Sequence, residues 1–241
     1  MRVMPRECFE IDNPFNYGSF GNVYKTEIEG KTYCYKEFKK EFPSDIIRNI
    51  SSFTDEEYSE EFLTPLYMVH TFGDASFSGY LTNYYKDLIE IEDVYERAKK
   101  ILLLKKAKLT IMKFHKCYGR IHGDLNGSNM LFGENDLAYL LDFDSSLRIS
   151  QPVGSTRSFS TLVEDYLKLY PLDYSVDAYS FNLNTLAILG KSDPFNVLDA
   201  IRKGTFRIPE ENIMTRKLSR ELLLENPRKP YSGQYIIDYI D

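Results

Sequence analysis

Two short polar segments in the middle of the chain carry side chains suited to moving a phosphoryl group. Asp124 lies in the run His-Gly-Asp-Leu-Asn-Gly-Ser-Asn, which ends at Asn129. Asp142 follows Asn129 by thirteen residues. One carboxylate can accept a proton from a hydroxyl, while an amide oxygen and a second carboxylate are hard ligands suited to Mg²⁺. Because phosphoryl transfer depends mainly on positioning and charge neutralisation, these three residues predict that chemistry.

A glycine-containing turn and a lysine precede these segments. Gly18 and Gly21 flank two residues between strand-like stretches, and glycine lets a backbone approach phosphates closely and donate from its N–H groups. Lys36 ends the strand-like run Tyr-Cys-Tyr-Lys and offers an ammonium to nucleotide phosphates. Each feature alone is typical of a hairpin turn, a solvated strand lysine or a turn aspartate. The four elements in this order favour a nucleotide-dependent phosphotransferase.

The composition is that of a folded chain with an aromatic-rich core. Of its 241 residues, 43% are apolar and 15% are aromatic, which excludes a disordered chain. The net charge is −6 and the 30 Lys and Arg residues are spread along the sequence, so we expect no nucleic-acid partner. Cys8, Cys34 and Cys117 are too few and too widely spaced for a disulfide framework or a zinc site, which favours reduced thiols.

The apolar segments are short. No apolar run follows residues 1–7, so we expect no signal peptide. The longest apolar stretch, residues 101–104, is far shorter than the about 18–20 residues of a membrane span. We therefore expect no membrane span and a cytoplasmic protein, or one that acts in a host cell's cytoplasm after delivery.

The first third of the chain has the period of strands. Residues 23–28 alternate with period two, Glu29-Gly30 offers a tight turn, and residues 32–35 are rich in strand formers. Residues 66–69 and 79–85 predict two further strands. A helix is predicted to start at Pro43-Ser44, because apolar residues follow at helical spacing. Together these segments predict a five-stranded sheet with one helix.

After residue 86 the pattern changes to that of helices. Residues 95–117 predict a long, mostly buried helix, and residues 175–189 predict a central helix that is apolar nearly all round. Two short strands, 131–132 and 137–141, flank a turn-like run. Three further helices are predicted at 195–203, 212–225 and 232–240. The change of period predicts a boundary between residues 1–86 and 87–241.

In these motifs the chain resembles the eukaryotic-type protein kinases, over roughly residues 10–235. Residues 16–25 are similar to the family's Gly-rich loop, with Asn16 at the position of its first glycine. Lys36 matches the lysine that ends the third strand, with Cys34 at the small-residue position before it.

The resemblance continues in the second half. Asp124 and Asn129 match the catalytic-loop aspartate and asparagine, and Asp142 and Phe143 match the start of the metal-binding triplet. Residues 176–181 are similar to the helix that anchors the C-terminal lobe.

The resemblance implies an α+β, bilobal fold with a five-stranded antiparallel N-lobe sheet plus a helix (residues 1–86) and a mainly helical C-lobe (residues 87–241). It implies ATP and Mg²⁺, or Mn²⁺, as cofactors and a protein substrate phosphorylated on Ser or Thr. Asp124 would be the catalytic base, Lys36 the phosphate-binding cation, and Asn129 and Asp142 the metal ligands. The remaining nucleotide-binding residues that it implies are Gly18, Ser19, Phe20, Gly21, Val23, Cys34, Tyr84, Tyr85 and Leu131. His122 would serve architecture, since its family counterpart packs with the Phe143 position and bonds to the Asp177 position.

Several positions depart from the family pattern. Gly123 replaces an arginine, so activation by a phosphate that pairs with that arginine is not expected. Asn126 replaces the lysine near the γ-phosphate, and Asp144 replaces the glycine of the metal-binding triplet. No Ala-Pro-Glu follows, and residues 154–156 are a weak stand-in for the Gly-Thr that precedes the substrate platform.

The acidic residue that should pair with Lys36 is not assignable from the sequence. Glu56 and Glu57 are candidates, but simple alignment places Ser51 at that position.

Three functions remain open. The leading interpretation is an active protein kinase, because Lys36, Asp124, Asn129 and Asp142 are all present. A small-molecule phosphotransferase of the aminoglycoside or choline kind is favoured by Gly123 but disfavoured by the Val-Tyr-Lys run that begins at Val23 and by the motif around Asp177. A pseudokinase or scaffold is disfavoured by the complete set of catalytic residues.

Overall fold

The computed structural model describes residues 1–17, 21–39, 44–56, 59–71, 73, 76–149, 173–207, 213–225 and 235–240. The chain divides into two compact units, each described by itself below. The first contains Met1–Lys86 together with Asp142–Asp144. The second contains Asp87–Leu141 and the described residues from Ser145 onward. The predicted site residues Gly18, Ser19 and Phe20 lie outside the described residues, as do Glu57 and residues 154–156.

The first unit contains a six-stranded mixed sheet. Its strands are β1 (Val3–Pro5), β2 (Asn16–Tyr17), β3 (Gly21–Ile28), β4 (Lys31–Phe38), β5 (Tyr67–His70) and β6 (Phe77–Asn83). In space their order is β1-β5-β6-β4-β3-β2. The predicted five-stranded antiparallel sheet is therefore wrong in strand number and in one pairing, because β1 runs parallel to β5. β1 has only three residues, which are too few for side-chain alternation to predict a strand.

The β3–β4 hairpin has the tight turn that the sequence predicts. Glu29 and Gly30 have φ values of 50° and 76°, and Ile28 pairs directly with Lys31. Two successive left-handed residues form a two-residue hairpin turn whose twist matches that of the flanking strands. This hairpin fixes the register of β4, the strand that carries Lys36.

Side-chain alternation gives the sheet two different faces. One face buries Phe9, Tyr24, Tyr35, Val69 and Leu81 in an apolar cluster. On the opposite face Lys36 lies between Val23 and Tyr80, its partners on β3 and β6. Since the side-chain period of a strand is two, the pairing that buries Tyr35 on one face directs Lys36 to the other.

A short helix covers part of the face that carries Lys36. Helix α1 (Ser44–Ser51) is followed by a 3-10 turn, Ser52–Asp55. Ile47 and Ile50 pack with Met68 and Tyr80, so the helix shields this side of the sheet from water.

The second unit is mainly helical. Its α-helices are α2 (Arg97–Tyr118), α3 (Ser175–Gly190), α4 (Pro194–Arg202) and α5 (Ile213–Arg220), and α5 continues into a π-helical turn, Glu221–Glu225. α3 is buried from its first residue to Leu189, as expected of a central helix. Within the predicted helix 232–240 the described residues contain a short 3-10 helix, Ile236–Tyr239.

Five short strands complete the second unit. They are β7 (Ile89–Glu90), β8 (Arg120–Ile121), β9 (Met130–Phe132), β10 (Ala138–Leu140) and β11 (Leu147–Arg148). β9 pairs with β10 and β7, and β8 pairs with β11. The loop that carries Asp124 connects β8 to β9. Taken together, the described residues form an α+β protein with a mixed sheet and five α-helices, none of them long and apolar enough to cross a membrane.

Candidate functional site

In the first unit Lys36 forms an ion cluster with two aspartates. Its Nζ donates to Asp142 Oδ1 at 2.6 Å and to Asp144 Oδ2 at 2.7 Å. Within the described residues these two carboxylates are therefore the acidic partners of Lys36. Ser51, which alignment suggested for that role, donates its hydroxyl to the carbonyl of Arg48 instead.

Burial and charge act in opposite directions on the Lys36 ammonium. Burial alone would lower the pKa of Lys36, but the negative charges of Asp144 and Asp142 hold that pKa above its usual value. The ammonium is therefore charged at neutral pH although it lies in the interior. A fixed positive charge of this kind suits the binding of phosphate oxygens.

Asp144 is the most enclosed member of the cluster. Its Oδ1 accepts a hydrogen bond from the Tyr80 hydroxyl at 2.7 Å, while its Oδ2 accepts from Lys36. Burial, followed by the neighbouring Asp142 charge, raises the pKa of Asp144 to about 6, although Lys36 and Tyr80 act in the opposite direction. The Lys36 ammonium, 2.7 Å away, favours the charged form of this carboxylate.

Asp142 is placed differently. Its side chain is 34% exposed, whereas that of Asp144 is 7% exposed. Its backbone has a φ of 59°, a left-handed conformation that aspartate tolerates better than most residues. Phe143, buried between the two aspartates, packs against Phe53 with ring centroids 5.5 Å apart and anchors the segment to the first unit. Asp142 therefore combines contact with Lys36 and access to solvent.

The other predicted nucleotide-binding residues of the first unit lie along the strands. At Gly21 a Cβ atom would approach the Glu37 carbonyl oxygen to 2.4 Å, so only glycine fits there. Val23 pairs with Lys36, and burial raises the pKa of the Cys34 thiol to about 11. Lys25 Nζ lies 5.0 Å from the centre of the Tyr84 ring. Tyr85, like Tyr84, is half-buried just after β6.

In the second unit Asp124 and Asn129 lie in contact. Asn129 Nδ2 donates to the Asp124 carbonyl at 2.8 Å and to its carboxylate Oδ2 at 3.2 Å. Asn126 caps the intervening 3-10 turn by accepting from the Asn129 backbone N–H at 3.1 Å and from the Ser128 hydroxyl at 2.7 Å. These bonds fix the orientation of a carboxylate that can accept a proton.

Asp177 anchors the backbone before Asp124. It is fully buried on α3 and accepts the backbone N–H of His122 at 2.6 Å and of Gly123 at 2.9 Å. Its third partner is His115 Nε2, at 2.7 Å. Burial would raise the pKa of Asp177, but the hydrogen bond and charge of His115, with smaller contributions from His122 and Gly123, lower it below its ordinary value. A charged aspartate therefore holds the loop.

Further contacts steady the ends of the same loop. Asn184 on α3 donates to the Leu125 carbonyl at 3.0 Å. The His122 side chain contacts the Leu141 carbonyl through Nε2 at 2.7 Å, and the Leu141 N–H donates to the Asn129 carbonyl at 3.0 Å. Leu131, on β9, is half-buried and pairs with Tyr139. His122 thus has an architectural place in the second unit.

Sequence reasoning missed Tyr80, His115 and the role of Asp144. Tyr80 has a signal, because strand pairing with β4 places it beside Lys36. His115 is one of three histidines and lies near the end of a predicted helix, but its contact with Asp177 joins residues 62 positions apart. Asp144 stands out in the sequence only as a replacement for glycine.

The donor chemistry fits the predicted magnesium ion. Asn129 and Asp142 carry hard oxygen donors, and the Asp142 carboxylate is partly open to solvent. No cluster of three or more His, Cys, Asp or Glu side chains suited to a metal occurs among the residues that the structure describes. Oxygen donors of this kind suit Mg²⁺, which usually keeps water and substrate phosphates as further ligands.

Comparison with curated proteins also points to phosphotransferase chemistry. No protein-family model matches the chain. Over 160 residues it is 29% identical to a protein of Encephalitozoon cuniculi (strain GB-M1) named "Probable casein kinase I homolog". The alignment covers 61% of this chain and 47% of that protein, so the chain spans about half the length of the relative. This similarity suggests a protein-kinase-like family. It also suggests a phosphotransferase.

Proposed function

We propose that this chain is an ATP- and Mg²⁺-dependent protein kinase that transfers the γ-phosphoryl group to Ser or Thr hydroxyls. The observation that carries the proposal is the pairing of Lys36 with Asp142 at 2.6 Å, across 106 positions of sequence. A phosphate-binding cation and a metal-binding carboxylate are the two charges that phosphoryl transfer requires near a nucleotide. The 29% identity to a probable casein kinase I homolog supports the same class of reaction.

The Lys36 ammonium binds and orients the nucleotide phosphates in this proposal. It is buried and charged, and it contacts two carboxylates. A charge that is already fixed in place needs little reorganisation as the reaction proceeds. Asp142 and Asn129 would hold the metal ion, which when bound neutralises charge on the phosphate oxygens.

The Asp124 carboxylate orients the acceptor hydroxyl and accepts its proton. As the hydroxyl oxygen forms a bond to the γ-phosphorus, the bond to the bridging oxygen breaks and ADP leaves. Asn129 fixes one oxygen of Asp124, and Asp177 fixes the backbone of the two preceding residues. Such positioning accounts for much of the acceleration in reactions of this type.

The remaining nucleotide contacts are proposals of the same kind. The residues assigned to them are Gly18, Ser19, Phe20, Gly21, Val23, Cys34, Tyr84, Tyr85 and Leu131.

One observation favours a second candidate, a small-molecule phosphotransferase. Gly123 has a φ of 83°, a conformation in which other residues are strained. With Gly123 the loop reads His-Gly-Asp, a sequence that occurs in kinases of small alcohols. A protein acceptor remains the better-supported choice because of the casein kinase I similarity.

Transfer from radiolabelled ATP separates these candidates. The chain is incubated with Mg²⁺ and either acidic proteins, basic proteins, or a panel of aminoglycosides and choline. Label on Ser or Thr of a protein supports the protein kinase, and label on small alcohols alone supports the second candidate. Absence of transfer to any acceptor by the folded chain would contradict both. Asp124→Asn is the matched control, because it removes the proposed base and keeps the side-chain shape.

A further inference from the structure

We propose that Asp144 is the dedicated acidic partner of Lys36, a positioning residue that keeps the ammonium in place while Asp142 binds the metal ion. The inference rests on the proposed function, since it assigns Lys36 to the nucleotide phosphates and Asp142 to Mg²⁺. It gives a role to a residue that the family pattern would fill with glycine.

The two carboxylates that contact Lys36 are not equivalent. Both oxygens of Asp144 are engaged, Oδ1 by the Tyr80 hydroxyl at 2.7 Å and Oδ2 by Lys36 at 2.7 Å. Its side chain is almost enclosed, while that of Asp142 is one-third exposed. A metal ion needs a carboxylate oxygen that is accessible from solvent. Asp144 therefore suits the role of counter-charge, and Asp142 that of ligand.

Tyr80 fixes Asp144 in this position. It lies directly opposite Lys36 in the β4–β6 pairing, with Lys36 Nζ 5.9 Å from the centre of its ring. Its hydroxyl is buried and donates to Asp144. The register of two strands thus sets the ammonium and the phenol, and both contact the Asp144 carboxylate from this rigid support.

Helix α1 presents apolar side chains to this part of the sheet. Ile47 and Ile50 pack into the cluster that contains Tyr80. Ser51, at the position suggested for the partner by alignment, is neutral and bonded to Arg48. The counter-charge for Lys36 thus comes from the segment of the metal-binding residue and not from these residues of the helix.

A second carboxylate allows Lys36 to stay paired while Asp142 binds the metal ion. If Asp142 were the sole partner of Lys36, binding of Mg²⁺ would draw the negative charge of Asp142 away from the buried ammonium. An uncompensated buried charge is costly, so metal binding and lysine pairing would compete. With Asp144 present, Lys36 remains paired when Asp142 turns to the metal. Loss of the Asp144 charge should therefore weaken the response to Mg²⁺.

The test compares wild type with Asp144→Asn, which keeps the size of the side chain and removes its charge. Mg²⁺ titrations are made at fixed ATP, with ATP binding followed by calorimetry and transfer by radiolabel. We expect the half-saturating Mg²⁺ concentration to rise and kcat/KM for ATP to fall, by about 10–100-fold as for outer partners of metal ligands. Asp136→Asn is the matched control, since it removes the charge from another lysine–aspartate pair, with Lys99.

The outcomes separate this inference from the proposed function. Wild-type protein that neither binds ATP nor transfers phosphate would contradict the proposed function itself. Wild-type activity with an unchanged Mg²⁺ requirement in folded Asp144→Asn would overturn only the role of Asp144. If thermal melting shows that Asp144→Asn is unfolded, Tyr80→Phe replaces it, because it removes one hydrogen bond and keeps the charge. A smaller rise in the half-saturating Mg²⁺ concentration is then expected, and an unchanged concentration would overturn the inference.

Discussion

Asp144 Oδ2 lies 2.7 Å from Lys36 Nζ, although 108 positions of sequence separate the two residues. This ion pair joins a strand near the start of the chain to the segment that carries Asp142. Both charges are buried, and Tyr80 occupies the remaining oxygen of Asp144. The pair therefore depends on exact placement, because a buried charge without its partner is strongly unfavourable.

Replacing Lys36 by methionine should affect stability and activity together. The change leaves two carboxylates, one of them deeply buried, without their common cation. We expect the free energy of unfolding to fall by about 3 kcal/mol. Phosphoryl transfer should fall by at least about 10²-fold, because a fixed charge at the phosphates is lost. Denaturant unfolding and radiolabel transfer measure the two effects.

The control for Lys36→Met is Lys99→Met. Lys99 pairs with Asp136, and these side chains are 37% and 28% exposed. Loss of so accessible a pair should cost less than about 1 kcal/mol. Equal destabilisation by the two variants would contradict the assignment of a buried, interdependent cluster to Lys36.

Replacing Asp177 by asparagine should loosen the loop that carries Asp124. The charged carboxylate accepts from His115 and from two backbone N–H groups, so its neutralisation should destabilise the protein by about 2–4 kcal/mol. Hydrogen exchange should show faster exchange at the His122 and Gly123 amides than in wild type. Unchanged exchange at both amides would rule out this anchoring role.

The contribution of Asp177 to the free energy of unfolding should depend on pH in a defined direction. Since the folded pKa lies below the ordinary value of 3.8, the stabilisation is fully present above that pH. It is lost as the pH falls through the folded pKa, when wild type also becomes neutral at this site. The difference in unfolding free energy between wild type and Asp177→Asn should therefore shrink as the pH falls below about 4. A difference that grows on acidification would contradict this account.

Replacing Asp142 by asparagine should remove the metal dependence of ATP binding. The carboxylate and the Asn129 amide offer the hard oxygens that Mg²⁺ prefers. In wild type we expect ATP affinity to rise with added Mg²⁺ or Mn²⁺ and to fall with a chelator. For Asp142→Asn, calorimetry should show the same weak affinity for ATP with added metal ion and with chelator. Wild-type binding that ignores the chelator would favour a scaffold over an enzyme.

The local chemistry and most elements could be predicted from the sequence. Alternation and turn residues indicate the hairpin around Glu29-Gly30, and helical periodicity indicates α2 and α3 within a few residues of their bounds. Asp124 and Asn129 are five positions apart, and the structure describes them in contact. These features depend on neighbouring residues, and short-range patterns encode them.

The contacts that join distant segments could not be predicted. The parallel pairing of β1 with β5 uses backbone groups of a three-residue strand, which is too short for a side-chain pattern to predict it. The sequence shows an aspartate at position 144, but the direction of its side chain depends on where the segment packs. The same holds for His115 and Asp177, whose hydrogen bond depends on the packing of two helices.

The most direct test of the account concerns Asp124. In Asp124→Asn the shape of the side chain remains while its negative charge is lost. We predict that affinity for ATP and Mg²⁺ stays near the wild-type value, because Asp124 does not bind the phosphates in this account. Transfer of label from ATP should fall by about 10²–10⁴-fold, the usual cost of losing a general base. Unchanged transfer by the folded variant would contradict the assignment of the catalytic base and, with it, the proposed kinase mechanism.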